Sequence, residues 1–174
     1  MTPPTSGRLI GFWMVADMSL YDETGRFPQR KHPRLRYYDY SRPNYYYFIT
    51  ICTAQKAHIF GQPGGTNRYG QIALEAFTEV QRHFPSVKID QAVVMPNHVH
   101  AIFILTESDT NLSVVVGQYK AYVTKQIRVL NPGMKVWQTS FHDHVIRNQS
   151  EYQRIWNYIE GNPGKWQEDC FYTD

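Results

Sequence analysis

The residues of this 174-residue chain best placed to do chemistry are His98 and His100, with Val99 between them. On a β-strand, residues two apart point to the same face, so both imidazoles project together while Val99 and Ala101 face the other way. Two neutral imidazoles side by side can hold one divalent cation and leave positions open for substrate oxygens. A cation held there would polarise a phosphodiester and offset the charge developing as it is displaced. A lone His-x-His is a weak signal, since strand histidines commonly only hydrogen-bond within a fold. Here apolar runs, Ala92 to Met95 and Ala101 to Leu105, flank the pair. Two polar rings in the middle of such a segment need partners.

Beside a metal, a tyrosine phenol can act as a nucleophile if a stable element aims it at the cation. The chain has 13 tyrosines, so presence alone singles out none of them. Two expected helices offer Tyr119 and Tyr122, and Tyr152 and Tyr158. Asn162 follows Tyr158 by four residues, one helical turn on and on the same face, where its amide oxygen could be a third metal ligand. Spacing by itself does not separate Tyr158 from Tyr119.

Charge is compatible with a polyanionic partner. The net formal charge is only +3, but between Gly25 and Arg36 the bases Arg26, Arg30, Lys31, Arg34 and Arg36 occur without an acid, and Tyr37, Tyr38 and Tyr40 follow. Cations for phosphates beside aromatic faces for bases suit single-stranded nucleic acid; a solvated tail would read the same way. Hydrophobic residues at 42% and charged residues at 19% exclude a disordered chain. The two cysteines, Cys52 and Cys170, form no CxxC pair, which suits a reducing cytoplasm. The apolar stretch Leu9 to Ala16 is too short to span a membrane and lacks a cleavage site.

The elements that must position these residues follow from periodicity. Residues 1–40 read as an N-terminal arm, flexible or wrapping, with 1–17 an upstream extension if Met18 is the start, and 41–174 read as one domain. Tyr45 to Thr53 is β-branched and aromatic and predicts a strand. Residues 61–70 form a glycine-rich loop, and Gln71 to Phe84 an amphipathic helix. Val87 to Met95 and His98 to Leu105 pair as a hairpin across Pro96-Asn97. Leu112 to Leu130 is a second helix, leaving Lys120, Lys125 and Arg128 on its other sides. Val136 to Ile146 predicts a fourth strand, and a last helix runs from near Ser150 to Asn162-Pro163-Gly164. The order β-α-β-β-α-β-α predicts an α+β, ferredoxin-like fold, an antiparallel sheet with helices on one face. That fold serves many functions.

Several segments, in order from about residue 30 onward, resemble the single-tyrosine HUH transposases of the insertion-sequence-200-like family, in particular the REP-associated tyrosine transposases. They are Arg36-Tyr37-Tyr38-Asp39-Tyr40-Ser41, Tyr47 to Thr53, Val94-Met95-Pro96-Asn97-His98-Val99-His100, Val136-Trp137-Gln138, Asp143 to Asn148, Arg154 to Ile159, and Asn162-Pro163-Gly164-Lys165-Trp166. The resemblance implies that His98 and His100 are the ligands of Mg²⁺ or Mn²⁺, and that Asn162 supplies a further polar ligand. It implies that Tyr158 attacks a DNA phosphodiester, leaving a 5′-phosphotyrosine and a free 3′-hydroxyl. The implied partner is single-stranded DNA folded as hairpins or palindromic repeats, in the bacterial cytoplasm at the nucleoid. Such a chain cuts and rejoins strands without ATP, because the tyrosine linkage conserves the phosphodiester bond energy. Relatives include dimers and monomers, so a homodimer is one arrangement the resemblance allows. Thr139 stands where the family commonly has arginine, and Gly164 where it has an apolar residue. Arg26 to Tyr40, together with Lys120, Lys125 and Arg128, are the expected backbone contacts. Two other functions compete: a non-catalytic nucleic-acid-binding module on the same fold, and a metal-dependent hydrolase with no covalent step.

Overall fold

The computed structural model of the chain describes residues 45–106 and 110–173. In chain order they form β1 (Tyr45–Cys52), the minor strands β2 (Gly61–Gln62) and β3 (Gly65–Thr66), and α1 (Arg68–His83). Then come β4 (Val87–Met95), β5 (His98–Leu105), α2 (Leu112–Leu130), β6 (His142–Ile146) and α3 (Gln149–Gly161), with a 3₁₀ segment, Asn162–Glu168, continuing from α3. The main sheet has the order β4-β5-β1-β6, and every neighbouring pair is antiparallel. β5 therefore lies between β1 and β4, the split β-α-β arrangement that the order of elements predicts.

Alternation along the central strands divides the chain into two faces. Tyr47, Ile49 and Ile51 of β1 and Val99, Ala101, Phe103 and Leu105 of β5 share one core with α1 and α2. Into it α1 sends Ile72, Ala73, Ala76, Phe77 and Val80, and α2 sends Leu112, Val115, Val116, Tyr119, Val123 and Ile127. Fully burying one such aliphatic side chain contributes roughly 1.5–3 kcal/mol, so this face carries most of the folding energy. The expected placement of the helices on one face holds for α1 and α2 only. α3 packs on the opposite face, where Tyr152 meets Tyr46 and Tyr158 meets Phe48, both edge-on. The cause is the period of two: Tyr46, Phe48 and Thr50 project away from the main core and need their own cover.

Two other expectations change. The glycine-rich stretch 61–70 holds the β2–β3 hairpin and the first turn of α1, because Asn67 Oδ1 accepts from Tyr69 N and Gly70 N and starts the helix early. Gly70 permits this: a Cβ there would sit 2.4 Å from the Phe60 carbonyl oxygen. The fourth strand covers only His142–Ile146, and Trp137 contributes a single bridge, to Thr53. At the interruption the Lys120 ammonium donates to the carbonyls of Gln138, Thr139 and Ser140 at 2.6, 3.0 and 3.4 Å, while Trp137 Nε1 donates to Lys120 O.

The N-terminus of α3 is anchored to β6. Asn148 Oδ1 accepts from Glu151 N, and the Glu151 carboxylate accepts from Arg147 N and meets His144 Nε2 at 2.6 Å. This reciprocal cap fixes where Tyr158, two turns later, stands over the sheet.

Candidate metal centre and active site

His98 and His100 do share a face of β5, and both are fully buried. Their Nε2 atoms stand 2.9 Å apart. The other ring nitrogens are held from outside: His98 Nδ1 lies 2.8 Å from Asn97 Oδ1, and His100 Nδ1 lies 2.8 Å from Thr50 Oγ1. Asn97 Nδ2 donates to the Phe171 carbonyl, an obligate acceptor, so Asn97 must turn its oxygen to His98. His98 therefore carries its proton on Nδ1 and presents a bare lone pair at Nε2. Burial, and next the field of His100, hold His98 well below the ordinary histidine range, so the ring is neutral as a metal ligand must be.

The third member of the site is Asp169, which sequence reasoning did not find. Its Oδ2 lies 3.7 Å from His98 Nε2 and 3.6 Å from His100 Nε2. Burial alone would raise its carboxyl, but the His100 hydrogen bond, the fields of both histidines and the Phe171 N–H outweigh it and keep Asp169 well below the usual carboxylate range. Phe171 N donates to Oδ1 at 2.6 Å.

Tyr158 reaches the same point. Its hydroxyl donates to Asp169 Oδ2 at 2.9 Å and stands 3.3 Å from His100 Nε2. Asn162, at the end of α3, donates Nδ2 to Asp169 Oδ2 at 2.7 Å, and its Oδ1 is buried with no hydrogen-bond partner among the described residues. The structure thus brings together His98, His100, Tyr158 and Asn162. It sets the other tyrosines apart. Tyr119 lies in the α1–α2 core, stacked on Phe77 and donating to Ala73 O, with burial raising its phenol well above the ordinary range. Tyr122 packs against that same core. Tyr152 donates to Asp90, and burial and then that bond raise its phenol too.

The donor set fits a divalent cation. His98, His100 and Asp169 each offer one ligand atom, all within 4.8 Å of one another. Two imidazoles and one carboxylate leave open positions on such an ion. A bare lone pair at His98 Nε2, facing His100 Nε2 at 2.9 Å, and a buried, unpartnered amide oxygen are what a cation would satisfy. Phe48, Trp166 and Phe171 wall the histidines with aromatic rings.

The predicted DNA contacts fall into two groups. Arg26, Arg30, Lys31, Arg34 and Arg36 lie outside the described residues. Lys120, Lys125 and Arg128 line one hollow of about 720 Å³ beside α2, with Lys135, Val136 and Trp137. Lys120 is engaged there with backbone carbonyls, and Arg128 Nε donates to Met134 O. One further cation stands near the histidines. Lys56, in the turn after β1, has its ammonium 5.7 Å from the centre of the Phe171 ring. Gln55 and Lys56 both adopt left-handed backbone, φ 56° and 53°, which costs roughly 1–2 kcal/mol for each non-glycine residue.

With this geometry in hand, the likenesses to known proteins are specific. Residues 41–162 match the family described as Transposase IS200 like. An uncharacterized protein of Haemophilus influenzae is 31% identical over 83% of this chain and 94% of its own length. The REP-associated tyrosine transposase of Escherichia coli K12 is 34% identical over 58% of this chain and 57% of its own length. The solved structure of a REP-associated tyrosine transposase bound to a REP hairpin superposes with a TM-score of 0.61 at 27% identity, over 76% of this chain and 74% of that one. No helix among the described residues is long and apolar enough to cross a membrane. The chain belongs to the IS200-like transposase family, and over part of its length it is similar to REP-associated tyrosine transposases.

Proposed function

We propose that this transposase cuts and rejoins single-stranded DNA folded as hairpins or palindromic repeats, with Tyr158 as the nucleophile and a divalent cation held by His98, His100 and Asp169. The observation that carries the reading is the convergence of the Tyr158 hydroxyl, both Nε2 atoms and Asp169 Oδ2 on one buried point. The hairpin partner is suggested by the relative whose structure is bound to a REP hairpin.

In this reading Asn162 Oδ1 is a further oxygen for the cation. Mg²⁺ and Mn²⁺ are the candidates, and two imidazole donors suit Mn²⁺ better than Mg²⁺. Such an ion polarises the phosphodiester and offsets the charge that develops on its oxygens. The Tyr158 oxygen bonds to phosphorus, and the bond from phosphorus to the 3′-oxygen breaks. The DNA 5′ end is then held on the enzyme while the 3′-oxygen leaves as a hydroxyl. Asp169 Oδ2 holds the phenol hydrogen and so turns the oxygen's remaining lone pairs outward. A 3′-hydroxyl attacking the phosphotyrosine reverses the exchange and rejoins a strand. Lys125 and Arg128 beside α2, and the arm from Arg26 to Arg36, are proposed backbone contacts; Lys120 acts there at most through its field, since its donors are engaged.

The test is incubation with a hairpin-bearing single strand and Mn²⁺, followed by denaturing electrophoresis. A protein-linked DNA band that disappears with chelator is expected. Cleavage without a linked band would instead indicate a hydrolase, and binding without cleavage a recognition module.

The outer partners of the histidines make a separate prediction. Thr50→Val keeps the shape but leaves His100 Nδ1 without its partner. Mn²⁺ affinity by calorimetric titration is expected to fall about 10–100-fold, as for other second-layer partners of metal-binding histidines. Thr50→Ser should retain it. Wild-type affinity in Thr50→Val would show that the hydroxyl does not orient the ring.

A further inference from the structure

We propose that Lys56 binds a DNA phosphate next to the scissile one, a role that rests on the strand-cutting reading and extends its site beyond the metal. Three observations converge on it. The ammonium lies against the ring of Phe171, whose other neighbours are His98 and His100 at 5.0 and 5.7 Å between ring centres. Lys56 and the clamp thus share one aromatic wall.

The backbone is strained to put it there. Gln55 and Lys56 are consecutive non-glycine residues in left-handed conformation, where glycine or asparagine would form the turn at less cost. Strain of this kind persists only where its surroundings enforce it. Here Thr53 Oγ1 donates to the carbonyls of Ala57 and Asn97, Lys56 N donates to Thr53 O, and Ala54 N donates to Val136 O. The turn is therefore tied to Asn97, the residue that also holds His98. Lys56 and the histidines are thus joined through one hydrogen-bonded path.

The ammonium is left to be used. Among the described residues no carboxylate lies within ion-pair distance of Lys56 Nζ, and the charge sits over an aromatic face. A single cation–π contact, at a half-buried lysine, is weaker than a charge-assisted bond to a phosphate oxygen. A lysine offers three donors and no lone pair at neutral pH, so it can hold a phosphate but cannot ligate the metal. Because every nucleotide carries a phosphate, the contact would position the strand without reading its bases.

The experiment is a fluorescence-anisotropy titration of a hairpin-bearing single strand in chelator, over a series of salt concentrations. Wild type, Lys56→Gln and Lys56→Arg are compared. Lys56→Gln is expected to bind less tightly at low salt and to lower the slope of log K against log salt by about 0.7, the value for one released counterion on a single strand. Lys56→Arg should restore both, and neither variant should weaken Mn²⁺ binding measured by calorimetry. A wild-type slope in Lys56→Gln overturns the assignment while leaving the strand-cutting reading in place. If the wild-type protein binds no single-stranded DNA, both fall together.

Discussion

Tyr158→Phe is expected to abolish the protein–DNA adduct and to lower strand cleavage by on the order of 10⁴ or more, the scale on which loss of a nucleophile registers. The substitution removes one oxygen and little else. The ring keeps its edge-on contact with Phe48, 6.1 Å between centres, and loses its hydrogen bond to Asp169 and the longer contact with His100 Nε2. That bond contributes about 1 kcal/mol, so the protein should stay folded and bind DNA as wild type does. Tyr152→Phe and Tyr119→Phe are the controls, and both should keep the adduct. Tyr152 is engaged with Asp90, and Tyr119 lies on the far side of the sheet. An adduct of wild-type yield from Tyr158→Phe, lost instead in Tyr152→Phe, would move the nucleophile to the other tyrosine of α3.

The second large effect concerns the cation. Mn²⁺ at about 100 times its dissociation constant should stabilise the wild-type protein by about 2.7 kcal/mol, because it binds the folded chain alone. For a domain of this size that is a rise in Tm of about 5–10 °C. In the double variant His98→Ala, His100→Ala the rise should vanish, and cleavage with it. Asp169→Asn tests the third ligand. The amide oxygen can still accept from Tyr158, so the phenol stays in place while the anionic donor is gone. Mn²⁺ affinity is expected to fall about 100-fold, or about 2.7 kcal/mol. An unchanged calorimetric isotherm for Asp169→Asn would remove this residue from the ligand set and leave it as a support for the phenol.

What could be read in advance was whatever depends on local period. The alternation around His98 and His100 gave their shared face, and the Pro96-Asn97 junction gave the hairpin that carries them. Tyr158 and Asn162 lie one helical turn apart and do converge. Asp169 escaped because it follows Asn162–Glu168, a 3₁₀ segment with a non-helical residue at Lys165, where no period links it to α3. Thr50 looks like any β-branched strand residue until β1 pairs with β5 in the register that sets it opposite His100. Val136 to Ser140 has the composition of a strand, but it keeps only a bridge to Thr53, and the Lys120 side chain, from a distant helix, takes the carbonyls of Gln138, Thr139 and Ser140. The side on which α3 lies was equally hidden. Alternation says that β1 has two faces to cover, and not which helix covers which.

The two faces of the sheet answer to different selection. The apolar face, closed by α1 and α2, holds the main core, and the α3 face, with its buried histidines, carboxylate and amide, holds the groups to which the proposed reaction is assigned. A drifting gene can therefore lose Tyr158 or a histidine and still encode a protein that survives cellular proteolysis. Inactive copies of this lineage should persist as stable products rather than vanish as misfolded ones, and remain available for a role that needs recognition without cutting.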